Sequence, residues 1–216
     1  MTNPIVVVGA GRHGRGSTDI LDSQGLAVAG FLDDTRPKGD MVSGYPVLGG
    51  FATMRDPAFV RDHTWFVAIG DNQTRKDLCR ALADAGADFA NVVHPLASIS
   101  QRATLGRGLY FGACTIVQSG SSIGDWVLFG AHVYVGVDGE VGEAAFIGHG
   151  VILSAGTAVG PGTFLGSGVI LSNDASVGAG CVVGASSLVM RELPDGATAY
   201  GVPARPAPLK RHPFRS

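Results

Sequence analysis

Cysteine is scarce in this chain. Cys79, Cys114 and Cys181 are odd in number and far apart, so no CxxC pair and no disulfide framework can be read, and reduced thiols are expected. Charge is also scarce: 16% of residues are charged, with a formal net charge of −2, which leaves no basic excess for nucleic acid or an acidic membrane surface. No long apolar run occurs, because glycine or a charge interrupts each one, so no membrane span is expected. The start, Met1-Thr2-Asn3-Pro4, lacks the basic residues and apolar core of a signal peptide, and a cytoplasmic location is expected. Histidines at ligand spacing are missing too. None follows His132 or His149 at a short interval, so no metal site is expected.

What the chain has is glycine, 33 of 216 residues, in a sequence that is 45% apolar. The glycines keep no Gly-X-Y period, which excludes collagen and points to many tight corners. The length permits one large domain or two small ones.

The glycines are periodic from residue 105 onward. Leu105-Gly106, Ile123-Gly124, Val141-Gly142, Val159-Gly160 and Val177-Gly178 recur every 18 residues. Six residues after each comes another such pair, beginning at Phe111, Phe129, Ile147, Leu165 and Val183. Six further on lie Val117, Val135, Leu153, Leu171 and Val189. A period of six smears apolar residues around every face of a helix. A triangular β-solenoid uses it fully: each hexad is a short strand plus a corner, and three hexads close one coil. The leading residue points inward, and a small or β-branched residue such as Val133, Thr157 or Ser187 fills the space near the corner. Glycine relieves the corner, where a positive φ is expected. Five coils stacked about 4.8 Å apart, from about residue 99 to 190, follow.

The N-terminal part alternates differently. Ile5-Val6-Val7-Val8 reads as a buried strand and runs into Gly9-Ala10-Gly11-Arg12-His13-Gly14, a G-x-G-x-x-G stretch before a helical pattern. Leu26 to Asp34 reads as a second strand ending in two acids. Trp65 to Ile69 reads as a third, followed by Gly70-Asp71-Asn72 and a helix through residues 76–85. This is a small Rossmann-like parallel α/β domain. It is about half the size of a two-lobed dinucleotide fold, so a nucleotide-linked ligand suits the glycine loop better than NAD. The alternative is that the glycines only make a tight turn.

Together these motifs resemble the NeuD/PglD-like sugar acetyltransferases, which are hexapeptide-repeat proteins. The resemblance rests on residues 8–14, 30–34, 68–75, His94-Pro95, the repeats, and the stretches from Pro194 to Ala197 and from Gly201 to Arg205. It implies a left-handed β-helix for residues 96–216 and a nucleotide-sugar-binding domain for residues 1–95. It further implies acetyl-CoA as acyl donor and a homotrimer. The ligand residues it implies for the sugar nucleotide are Gly9, Gly11, Arg12, His13, Gly14, Asp33, Asp34, Gly70, Asn72 and Arg75. Those for acetyl-CoA are Ala155, Gly156, Asp174 and Arg205, with corner amides near Ala155 and Gly156 stabilising the oxyanion.

One departure stands out. Counted along the 18-residue register, the family's histidine–acid pair falls on Val137 and Asp138, and a second family histidine falls on Phe146. The acid is kept and the base is gone. His132 and His149 are 17 residues apart and should share one edge of the solenoid, so either is a candidate base, with Asp138 on the next edge. A hydroxyl acceptor needs a base, whereas a neutral amine is already nucleophilic. The expected activity is N-acetylation of a nucleotide-linked amino sugar in surface-polysaccharide or glycan biosynthesis. The alternatives are a sialic-acid-like O-acetyltransferase and a silent nucleotide-sugar-binding homologue.

Overall fold

The computed structural model describes residues 3–207, which fall into two compact units. One comprises Met1–Pro95 with Arg107–Leu109, the other Leu96–Gly106 with Tyr110–Ser216.

The first unit is built on β1 (Ile5–Val8), which is buried along its whole length. It pairs in parallel with β2 (Val28–Leu32) on one side and with β5 (Thr64–Val67) on the other. Helix α1 (Arg12–Ser23) connects β1 to β2. Beyond β2 lies a hairpin, β3 (Met41–Val42) and β4 (Tyr45–Gly49), whose second strand pairs in parallel with β2. A five-residue helix, α2 (Pro57–Arg61), precedes β5; Asp56 caps it by accepting from the Ala58 amide at 2.9 Å. Helix α3 (Asn72–Asp84) follows β5 and leads to β6 (Asp88–Phe89). The sheet order is β3-β4-β2-β1-β5-β6. The hairpin and α2 have no counterpart in the sequence reading, and α3 begins four residues before the expected start.

This order fixes where a ligand can sit. The chain leaves β1 toward β2 on one side and later returns to β5 on the other, so a crevice opens at the carboxyl ends of β1 and β5. The loops that follow these two strands flank it.

The second unit is the expected left-handed parallel β-helix. Every hexad-leading residue from Leu105 to Val189 is the second residue of a two-residue strand. Successive coils pair in parallel at a strict 18-residue offset, as in Val117↔Val135, Ile123↔Val141 and Phe129↔Ile147. All the leading residues except Leu105, in the first coil, are buried. Buried corner hydroxyls are satisfied by the next coil: Thr115 donates to the Gly130 carbonyl at 2.9 Å and Ser121 to the Gly136 carbonyl at 3.0 Å. The last coil is covered by Thr198–Tyr200, which pairs with Val182–Val183 and with Arg205–Pro206.

The reason for the repeated glycines differs from the expectation. The glycine directly after each leading residue is not where φ turns positive. A Cβ on Gly136 would lie 2.7 Å from the Ala155 amide nitrogen of the next coil, so these glycines let coils stack closely. The left-handed residue comes two positions later. Glycine fills it at Gly120 and Gly156, but Cys114, Trp126, His132, Asp138, Ala144, Asp174 and Ser186 hold the same conformation with φ between 54° and 59°. Each non-glycine residue there costs on the order of 1–2 kcal/mol, which the stacked ladder on either side over-determines.

Candidate active site

In the first unit, the glycine loop begins where β1 ends. Gly9 has φ +97°, and a Cβ there would lie 2.7 Å from Ile69 Cδ1, so the loops after β1 and β5 meet at this residue. Gly14 is buried in α1 against the Gly9 carbonyl. These two glycines serve packing. Gly11, exposed at the N-cap of α1, and Gly70 have open space where a side chain would stand, and they leave room for a ligand on each side of the crevice. Arg12 is exposed and His13 half-buried beside it.

The two acids after β2 are committed to the chain. Asp33 accepts from the Ala10 amide at 2.8 Å, the Thr35 amide at 2.8 Å and the Thr35 hydroxyl at 2.6 Å. Partial burial pushes its carboxyl up. The Thr35 hydroxyl, the two amides and the Arg36 charge outweigh this and hold it below the usual value of 3.8. Asp33 thus ties the glycine loop to the end of β2. Asp34, which is exposed, accepts from the Phe51 amide at 2.7 Å.

Arg75 departs from its expected place among the ligand residues. It is wholly buried, so it cannot touch a ligand in this arrangement. Its guanidinium donates to the Ile69 carbonyl at 2.9 Å, the Gly70 carbonyl at 3.4 Å and Asn72 Oδ1 at 2.9 Å. Burial draws its pKa down to about 10, against the opposing pull of Cys79 and Asp71. Asn72 is half-buried at the first position of α3.

In the second unit, the corner after the middle strand of each coil carries Val137, Asp138, Ala155, Gly156 and Asp174. Val137 is 44% exposed, an apolar side chain turned outward where the resemblance places a histidine. The Gly156 amide donates to the Val137 carbonyl at 2.9 Å and so is not available to an oxyanion, contrary to expectation. The neighbouring Ala155 is exposed, and its amide makes no hydrogen bond among the described residues. Further along, Arg205 lines a cavity of about 470 Å³ with Met190, Arg191, Glu192 and Pro203. Arg191 escaped the sequence reading, although it lies three 18-residue steps after Val137.

The two candidate histidines share an edge, as their spacing required, but it is a different corner from that of Asp138. His132 is exposed at a left-handed position, and its amide donates to the Ala113 carbonyl at 2.8 Å. His149 lies one coil above Ala131, whose amide donates to Nδ1 at 2.9 Å. An amide can only donate, so Nδ1 is the unprotonated nitrogen and Nε2 carries the hydrogen of the neutral ring. The ring's one basic lone pair is thereby spent. His149 bridges two coils, and this replaces the base role expected for it. Glu140, overlooked in the sequence, is exposed on the next strand and lines a shallow groove of about 480 Å³ with Ser122 and Ala158. Among the described residues, no group of three or more His, Cys, Asp or Glu could hold a metal ion, and no helix is long and apolar enough to cross a membrane.

Known proteins extend this geometry. Residues 4–82 match the model of the PglD N-terminal domain family. Perosamine N-acetyltransferase from Caulobacter crescentus, solved as a variant with CoA and GDP-perosamine, is 32% identical. It superposes with a TM-score of 0.90 over 96% of this chain and 98% of that one. The acetyltransferase domain of PglB from Neisseria gonorrhoeae FA1090, in complex with acetyl coenzyme A, is 30% identical with a TM-score of 0.89, covering 96% and 100%. UDP-N-acetylbacillosamine N-acetyltransferase of Bacillus subtilis (strain 168) is 29% identical over 105 residues, 48% of this chain and 49% of that protein. The chain thus spans about half the length of that curated relative, and 23% of another, an uncharacterised mimivirus protein.

Proposed function

The chain belongs to the PglD-like family of sugar N-acetyltransferases, and from that premise we propose that it moves an acetyl group from acetyl-CoA to the amine of a nucleotide-linked amino sugar. The observation that carries this is the full-length likeness to an N-acetyltransferase bound to CoA and GDP-perosamine. In the proposed step the neutral amine attacks the thioester carbonyl. A C–N bond forms, the C–S bond breaks, CoA leaves as its thiol, and the nitrogen gives up a proton.

The corner edge supports the amine as nucleophile. Val137 offers no proton acceptor where the resemblance places one, and the His149 lone pair is held by Ala131. A hydroxyl acceptor would be left without its base; an amine needs only to be neutral and positioned. The free Ala155 amide is the donor suited to the developing oxyanion. Asp138, on the same edge, orients the incoming neutral amine by accepting a hydrogen bond from its N–H. His132, on the other corner, takes part only if a second copy brings it near. The glycine loop and the loop after β5 hold the nucleotide, and Arg191 and Arg205 face the phosphates of CoA. The setting is cytoplasmic, where both substrates are made available to glycan assembly.

A homotrimer completes this reading. Ile116, Tyr134, Ile152 and Ile170 occupy the same outward position in four successive coils and are 37–40% exposed. A continuous apolar column of this kind is what a closed cyclic interface covers.

The test is a screen of GDP- and UDP-linked amino sugars with acetyl-CoA, read by mass. Gain of one acetyl group on an amino sugar supports the proposal. Transfer confined to sugar hydroxyls would establish the O-acetyl reading instead. Nucleotide-sugar binding with no transfer to any acceptor would establish the silent one.

A further inference from the structure

We propose that Glu140 takes the proton that the attacking nitrogen gives up. This rests on the N-acetylation reading above and adds the proton's destination to it.

One flank of the β-helix carries the outward ladder Ser122, Glu140, Ala158 and Ser176 in successive coils. Glu140 is the one long side chain of the four. It is exposed, and its small neighbours leave it standing alone in the groove that it lines with Ser122 and Ala158. A further hollow of about 480 Å³ shares Val177, Gly178 and Asp195 with that groove. The same hollow shares Glu192, Leu193 and Pro194 with the cavity of Arg191 and Arg205. An open path thus runs along the flank from the two arginines to Glu140. A carrier arm with its phosphates at the arginines delivers its thioester to the coil of Glu140. Ala158 stands directly over Glu140, and Ala155, whose amide suits the oxyanion, lies three residues before it, at most about 10 Å away. The groove's other carboxylate is engaged: Asp195 accepts from the Ala179 amide at 2.7 Å.

The N–H of a neutral amine is too weak an acid for a carboxylate. Attack on the thioester carbonyl makes the nitrogen cationic, and its N–H then passes readily to an ionised carboxylate. In the proposed step the C–N bond forms and Glu140 takes that proton. The C–S bond then breaks, and the carboxyl hands the proton to the departing sulfur. CoA leaves as its thiol, and Glu140 is ionised again.

Glu140→Gln keeps the shape and removes the acceptor. The residue is exposed, so Tm should match the parent. With an amino sugar that the parent acetylates, kcat should fall roughly 10²–10³-fold, while KM for both substrates stays within about threefold. Glu140→Ala should lose as much. Formate, a carboxylate small enough for the vacated groove, should restore its rate in proportion to concentration and leave the parent unchanged. Formamide, of similar size, should restore nothing. A folded Glu140→Gln that keeps kcat within about threefold overturns the inference. So does a Glu140→Ala rate that formate does not restore, or that formamide restores equally. A parent that acetylates no amino sugar sinks the N-acetylation reading, and the inference goes with it.

Discussion

The carboxylate of Asp138 lies over Gly120, one coil earlier, in the space a side chain there would need, and Asp174 stands in the same relation to Gly156. The corner edge therefore alternates glycine and aspartate, each aspartate resting on a bare backbone. Gly120 also has φ +76°. Gly120→Ala should cost about 1–2 kcal/mol from the left-handed backbone alone and push the Asp138 carboxylate outward. A fall in Tm of roughly 2–8 °C is expected, with a loss of kcat/KM. Asp138→Asn, which keeps the shape, should reproduce the loss of rate without the loss of Tm. Unchanged transfer in both variants would remove Asp138 from the chemistry.

His149→Ala should keep transfer within about tenfold of the parent, far from the roughly 10²–10⁴-fold loss expected when a general base is removed. The lost hydrogen bond to Ala131 should cost about 1 kcal/mol of stability. Rates for parent and variant should rise together with pH as the acceptor amine becomes neutral. A hundredfold drop in kcat at constant KM would return His149 to the role of base.

Asp33 gives the first unit a pH dependence of known sign. Its carboxyl titrates lower in the folded protein than its ordinary value of 3.8. The stability it contributes is therefore fully present above that value and is lost as pH falls through the lower folded value. Asp33→Asn should remove this acid dependence and loosen the Ala10 amide, weakening nucleotide-sugar binding at neutral pH. Circular dichroism melts between pH 2 and 5 (roughly the window of an ordinary carboxylate and its lowered form) would show parallel curves for parent and variant if Asp33 contributes nothing.

Ile152→Glu places a charge in the outward apolar column without touching the inward one. Sedimentation should show the parent as a trimer and the variant shifted toward monomer at micromolar concentration, with circular dichroism unchanged. A variant that still sediments as the parent would show that this column is not the interface.

The solenoid was legible because its signal is arithmetic. Two-residue strands at a fixed offset leave the same apolar mark in every hexad, a spacing that a helix cannot use. The left-handed position was hidden because residues as different as Trp126, His132 and Asp138 occupy it, held there by the coils on either side. Arg75 misled for a general reason: a charged residue in a motif defaults to the surface, and its bonds to Ile69, Gly70 and Asn72 help to make burial tolerable. His149 was found by spacing, but its usefulness depended on which ring nitrogen the Ala131 amide engages, a matter of side-chain direction that spacing does not encode. The hairpin from Met41 to Gly49 stayed hidden because β3 has two residues and β4, Tyr45–Gly49, carries Pro46 and Gly49 with only Val47 buried, so no apolar run or alternation marks it.

The strict 18-residue coil makes length along the corner edge a counted quantity. Val137, Ala155, Asn173 and Arg191 mark successive graduations, so on the proposed reading the reach from the acyl-transfer corner to Arg191 is three strand spacings, roughly 14 Å. One residue gained or lost would turn corners into strands, and only whole turns can be inserted or deleted without rewriting the core. A descendant serving a donor with a longer or shorter arm could not adjust by fractions; it would have to duplicate or discard a turn. The fold is a ruler with a single fixed division, and the size of the carrier it can measure changes in jumps.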